Sequence, residues 1–254
     1  MGNSYSIFSF APVLLAAETG DIQMVQLLLG HKADLNTSAL DVLRPIKITE
    51  SGDSEGHINF NDMFEWPEHG TEILRLYPLQ AAASLEDSNI ATLLLQHGAT
   101  MNPQYGTTPL ACAAYHSNYD AIRLFLALRA DANESSEYKW GVSALEAAVM
   151  AENLETIKTL LEAGADINLC SLGPGGRTPL QRAAEIGNQT VIHYWLEAGA
   201  EINAPCAKTY GASALQGFIE HHDVEHIAKA FSEGASPNDV STIERSPLTA
   251  AVAN

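Results

Sequence analysis

Positive charge is scarce in this sequence. Thirteen Lys plus Arg stand against 31 Asp plus Glu, a formal net charge of −18 over 254 residues. A surface weighted this way repels phosphate backbones and anionic headgroups, so nucleic acid is excluded as a partner and membrane binding is disfavoured. Cysteine is scarce too. Cys112, Cys170 and Cys206 are odd in number and show no CxxC or CxxH spacing, so neither a disulfide framework nor a zinc site is expected. No stretch approaches the roughly 20 apolar residues of a membrane span, and the N-terminus lacks the basic flank of a secretory signal. These absences lead to the expectation of a cytoplasmic protein, with the nucleus as second choice. One targeting pattern is present: Met1-Gly2-Asn3-Ser4-Tyr5-Ser6 fits N-myristoylation on Gly2. A single acyl chain without a polybasic patch holds a membrane only marginally, so residues 1–10 are read as a leader.

What the sequence does contain is a period. The pair Ala and, three residues later, Asn recurs as Ala33/Asn36, Ala99/Asn102, Ala130/Asn133, Ala165/Asn168, Ala200/Asn203 and Ala235/Asn238. Successive Asn residues lie 66, 31, 35, 35 and 35 apart. A repeat of this length marks a solenoid in which each unit buries its apolar face against its neighbours. Residues 175–203 are the clearest copy. Thr178-Pro179-Leu180 opens a short helix through Ala183-Ala184, Gly187 turns the chain, and a second helix closes at Ala198-Gly199-Ala200 and Asn203. Thr or Ser before Pro suits a helix start, because the hydroxyl caps orphan N–H groups and Pro presets φ. Gly suits the turn because it accepts positive φ. The sixth unit departs most, with Gly217-Phe218-Ile219 in its first helix and His222 at the turn, and is expected to be strained or locally reshaped.

Residues 37–76 break the rhythm, with eight acidic residues against Arg44, Lys47 and Arg75. Because 66 is twice 33, they could hold a degenerate repeat. No Ala-x-x-Asn lies near residue 69, however, and an irregular insert is the favoured of the two readings. Phe60, Phe64 and Trp66 are too apolar for a purely solvated loop and should pack on the solenoid or on a ligand.

In Thr178-Pro179-Leu180, Ala183-Ala184, Gly187 and Leu196-Glu197-Ala198-Gly199-Ala200 the chain resembles an ankyrin-repeat protein, and its wording resembles the long ankyrin arrays of filamentous fungi. The resemblance implies an all-α solenoid of helix-turn-helix units with β-hairpin fingers. Repeats are expected near 11–36, 77–102, 107–133, 142–168, 177–203 and 212–238, with a partial one at 245–254, all within a domain over 11–254. It also implies a concave groove that binds a partner, usually a protein. Carried over residue by residue, the fingers contribute Tyr105, Trp140, Arg177 and Tyr210 to that groove. The first helices contribute Tyr115, His116, Met150, Glu185, Ile186, Glu220 and His221. Aromatic and Arg side chains dominate interface energy, so this row reads as a binding strip, with Trp66 of the insert beside it. The acidic balance favours a basic or mixed-charge protein partner.

Chemistry is the competing reading. His116, Glu185 and His221 could move protons if residues 37–76 closed over the groove as a lid, giving an enzyme on a small molecule such as a proton-transfer isomerase or cyclase of fungal metabolism. Ankyrin grooves are open and wet, which weakens electrostatic catalysis, so the reading leans away from an enzyme and implies no cofactor. His221, His222 and His226 are read as an accidental surface cluster and not a metal set, since no His-Glu-x-x-His motif is present. Cys112 is expected in the core. Gly173-Pro174-Gly175-Gly176 lacks the Lys of a phosphate loop and is read as a finger turn.

Overall fold

The computed structural model describes residues 12–37, 77–103, 106–135, 142–171, 176–205 and 213–237. Within them the chain forms twelve helices in six antiparallel pairs. The first helices are short: α1 (Pro12–Glu18), α3 (Pro78–Ala83), α5 (Pro109–Tyr115), α7 (Ala144–Met150), α9 (Pro179–Ile186) and α11 (Ala214–Glu220). The second helices are slightly longer: α2 (Ile22–Gly30), α4 (Asn89–Gln96), α6 (Tyr119–Ala127), α8 (Leu154–Glu162), α10 (Gln189–Glu197) and α12 (Val224–Ser232). No strand occurs among the described residues. The expected finger tips, like the partial repeat at 245–254, lie outside them.

The helix starts follow from the sequence. Thr108, Thr178, Ser143 and Ser213 cap the first helices, each hydroxyl accepting from the backbone N–H three residues on. Asp21, Asn118, Asn153, Asn188 and Asp223 cap the second helices in the same way. Between the helices of a pair the backbone turns through positive φ at Gly20, Ser117, Glu152, Gly187 and His222.

Alanine sets the spacing of the stack. Ala82-Ala83, Ala113-Ala114, Ala147-Ala148 and Ala183-Ala184 are buried, and each first helix packs on the next, α1 on α3 and so on to α11. Each first helix also packs on its own second helix, which buries an apolar stripe such as Ile122 and Phe125 or Val191, Ile192 and Trp195. Cys112 is buried in α5.

The repeating Asn has a mechanical role. Asn36, Asn133 and Asn203 donate through Nδ2 to the carbonyls of Gly98, Gly164 and Glu233, each in the following unit. Asn36, Asn133 and Asn168 also accept, from the N–H groups of Thr100, Asp166 and Glu201 at 2.7–2.9 Å. The amide therefore clamps one unit to the turn of the next. Asn36 clamps the unit that starts at Tyr77, and α1 packs on α3, so residues 38–76 join two units that are already neighbours in the stack.

The sixth unit keeps the regular helix pair. A Cβ on Gly217 would lie 2.5 Å from the backbone carbon of Ala184, so the glycine allows α11 to touch α9 directly, and Phe218 is fully buried beside it. The departures in sequence correspond to a closer helix approach.

Candidate functional site

From α3 to α11 each first helix is buried along most of its length and emerges at its C-terminal end, while α1 also exposes Pro12 and Leu15. The emerging residues occupy the same two register positions: Glu18 and Thr19, Tyr115 and His116, Met150 and Ala151, Glu185 and Ile186, Glu220 and His221. Since the first helices stack in order, these ends form one continuous strip across the units. Tyr115 is half-buried, and its ring meets the exposed His116 ring edge-on at 5.2 Å. Tyr105, Trp140, Tyr210 and Trp66 lie outside the described residues.

In the middle of the strip the structure places a charge network. Arg182 on α9 reaches back to the previous unit, where its Nε and Nη2 donate to Glu146 Oε1 at 3.0 and 2.8 Å. Ser171 donates its hydroxyl to the other oxygen of Glu146 and accepts from the Ser143 N–H at 3.2 Å. Arg182 Nη1 donates to Glu185 Oε2 at 2.6 Å, and Arg177 Nη2 donates to Glu185 Oε1 at 2.9 Å. The Glu146 and Arg182 side chains are only 1% and 5% exposed, so these charges depend on one another for solvation. Two carboxylates and two guanidinium groups balance to zero. Burial works against the charge of Arg182, yet Glu146 and Glu185 more than offset it and hold the group above its usual range. Arg177 moves the other way, lowered by burial and then by the like charge of Arg182.

The network follows from two local substitutions within the repeat. At the position of Glu146, units 2, 5 and 6 carry Gln80, Gln181 and Gln216, each accepting from the N–H of its own helix cap at 2.9–3.0 Å. Gln80 and Gln181 also donate to a carbonyl beyond their own helix pair, Thr107 at 2.6 Å and Ala204 at 2.8 Å. A glutamate cannot donate, so the fourth unit takes donors from Ser171 and Arg182 instead. At the position of Arg182 the other units carry Leu15, Ala81, Cys112, Ala147 and Gly217. Sequence reading passes over Glu146 and Arg182, although an acid replacing Gln beside a base replacing a small residue in the next unit was a usable signal.

Of the predicted residues, the structure brings together Arg177, Glu185 and His221. His221 Nε2 lies 2.9 Å from the backbone carbonyl of Glu185, and its ring covers Gly187. His116 sits two units earlier, with α7 between α5 and α9. Both oxygens of Glu185 are already engaged by guanidinium groups, so the His116, Glu185, His221 set does not meet as a proton-transfer site. The three clustered histidines diverge. His221 and His222 are exposed, whereas His226, expected at the surface, is buried. Its Nδ1 lies 2.5 Å from Asp223 Oδ2 and its ring packs on Phe218 at 5.3 Å, because α12 turns this position inward. Among the described residues no three His, Cys, Asp or Glu side chains converge as a metal set, and no helix is long and apolar enough to cross a membrane.

Comparison with known proteins agrees with this architecture. A family model for ankyrin repeats in three copies matches residues 64–136 and 126–206, and a single ankyrin-repeat model matches residues 10–39. Among solved structures, the chain is similar to the ankyrin repeat domain of Bcl-3, a member of the IkappaB protein family, with 23% identity and a TM-score of 0.57 over 94% of this chain and 93% of that one. It is similar also to the ankyrin repeat domain of human ASB11, with 20% identity and a TM-score of 0.59 over 94% of this chain and 91% of the other. No curated protein matches the sequence. At these identities the structural likeness speaks for the fold alone. The family model, however, spans more than half of the residues, and its repeats coincide with units whose caps, turns and Asn clamps recur in register. The chain belongs to the ankyrin-repeat family.

Proposed function

We propose that this repeat domain is a non-enzymatic scaffold that holds a protein partner along the strip formed by the first-helix ends and the fingers. The observation that carries the reading is the alignment of Tyr115, His116, Met150, Ile186 and His221 at equivalent positions of successive units, on helices otherwise buried. A continuous row of aromatic, apolar and imidazole groups on a rigid frame suits recognition of an extended or helical segment. The ion pairs of Arg177 and Arg182 with Glu185 leave its carboxylate poorly placed for chemistry, which also favours binding over catalysis.

With a formal net charge of −18, the partner is basic or of mixed charge, and association is steered by long-range attraction. By resemblance to the family, Tyr105, Trp140 and Tyr210 of the fingers extend the same strip, with Trp66 of the insert as a further candidate. The cytoplasm is the compartment proposed, on the unpatterned cysteines alone.

The test is partner capture by the protein immobilised from a matching cell extract. Trp140→Ala with Tyr210→Ala, and separately Tyr115→Ala with Met150→Ala, should each weaken capture by about tenfold or more, while the unfolding midpoint of the finger pair stays nearly unchanged. Capture that is unaffected by both pairs rejects the strip as the binding surface.

A further inference from the structure

Charge is sorted by face across the described units. The residues that close the first helices and enter the turns, 84–87, 115–117, 150–152, 185–187 and 220–222, include no Lys or Arg. Five of the seven described Lys and Arg, namely Lys32, Arg123, Arg129, Lys158 and Lys229, lie on second helices or in the turns that follow them. The other two, Arg177 and Arg182, are held by Glu185 and Glu146. Along the strip, acidic and apolar units then alternate. Glu86 and Asp87 of the second unit, Glu152 of the fourth and Glu220 of the sixth are exposed. Between them the third unit offers Tyr115 with His116. The fifth offers Ile186 beside Glu185, whose charge the two guanidinium groups neutralise.

We infer that the strip receives a basic segment of a partner protein in the polyproline II conformation, a choice of partner that rests on the scaffold function proposed above. The segment carries Lys or Arg at every sixth position and an apolar residue midway between. Packed helices stand about 8–10 Å apart, so successive units present equivalent residues at that interval. A polyproline II strand turns once in three residues and advances about 9.3 Å, so every third side chain faces the strip in step with the units. A β-strand repeats its face at about 6.7 Å and falls out of step. An α-helix repeats at about 5.4 Å and sets two turns against each unit. Bases six positions apart then fall at Glu86, Glu152 and Glu220, and the apolar residues between them fall at Tyr115 and Ile186. At the fourth unit the methylene stem of the base lies over Met150 while its charged end reaches Glu152.

The test is binding to the full chain, read by fluorescence anisotropy, of a labelled synthetic peptide of about thirteen residues, the length that spans five units. It carries lysine at both ends and at the centre, leucine midway between, and proline or serine elsewhere. A control peptide has the same composition with its lysines five positions apart. The ordered peptide should bind at least about tenfold more tightly than the control. Glu220→Lys should weaken its binding by about tenfold, and exchanging the lysine at one end of the peptide for glutamate should restore most of that loss in this variant alone. Equal binding of the two peptides, or binding of neither, overturns the proposal. So does an unchanged affinity in Glu220→Lys, whose fold is checked by circular dichroism. If the ordered peptide fails while Tyr115→Ala with Met150→Ala still weakens capture from extract, the scaffold function stands and its partner segment has another chemistry. If both finger and helix pairs also leave capture unaffected, the scaffold function falls with it.

Discussion

At five of the described positions a residue with a side chain takes the left-handed backbone that glycine takes elsewhere in the same register. Lys32 and Arg129 stand where other units have Gly98, Gly164, Gly199 and Gly234, and Ser117, Glu152 and His222 stand where others have Gly20 and Gly187. Such a conformation costs a non-glycine residue roughly 1–2 kcal/mol, partly offset because glycine also loosens the unfolded chain. Lys32→Gly and Arg129→Gly should therefore each stabilise the protein by about 0.5–1 kcal/mol, seen as a higher urea midpoint at unchanged slope. Gly217 is the opposite case, since a methyl group there meets backbone. Gly217→Ala should cost about 1–3 kcal/mol although Ala is the better helix former. Asp223 has a different sensitivity. Burial pushes its carboxyl up, but bonds from Gln189 and from the side chain and N–H of His226 outweigh that and hold it below the usual carboxylate range. With the folded value lowered, the stability it contributes is complete above the unfolded pKa near about 4 and is lost as pH falls through the folded value. Asp223→Asn keeps a capping side chain of the kind Asn188 provides. It should lower the melting temperature at pH 7 and flatten the decline below about pH 4 relative to wild type.

Between elements, the informative contact is the pair of Glu146 on α7 and Arg182 on α9. Removing one buried partner strands the other, so Arg182→Ala should cost about 3–5 kcal/mol in urea unfolding. Adding Glu146→Gln should recover most of that loss, because Gln in one unit with a small residue in the next is what two other boundaries carry at these positions, as Gln80 with Cys112 and Gln181 with Gly217. A double variant no more stable than Arg182→Ala would mean that the pair is not exchangeable for the neutral pattern. The contrast with the caps shows what could be read beforehand. The caps at Thr178 and Ser143 and the recurrence of Asn were legible because each acts through backbone at a fixed offset, and backbone geometry repeats with the period; that the Asn amides clamp successive units is seen only in the structure. Glu146 and Arg182 act through each other's side chains across 36 positions, so neither signals alone. The resemblance puts Arg177 and Glu185 on the strip, but their mutual ion pair depends on where the backbone just ahead of α9 sets Arg177. His226 looked like a surface residue because three histidines close together suggest a polar patch, whereas α12 turns the third of them inward against Phe218.

For the whole molecule, the longest departure from the period leaves the stack unbroken. Asn36 clamps the unit beginning at Tyr77 as Asn133 and Asn203 clamp their own neighbours, so the solenoid does not rely on residues 38–76 for its continuity. Replacing residues 40–74 by a Gly/Ser linker of about six residues should keep the helical circular dichroism of the stack and a single unfolding transition, since loop length changes closure entropy only slowly. Loss of cooperative unfolding would show that the insert is part of the frame. Every boundary between described units is bridged by side chains: Asn36 at the first, Gln80 and Asn118 at the second, Asn133 and Asn153 at the third. Arg182 and Asn188 bridge the fourth, and Asn203 and Gln189 the fifth. Pulled from its two ends, such a chain is loaded like links in series, each latch bearing the same tension. It will part first wherever a latch is weakest and pay out one unit's length at a time, which makes the Asn clamps the elements that would set its behaviour as a spring.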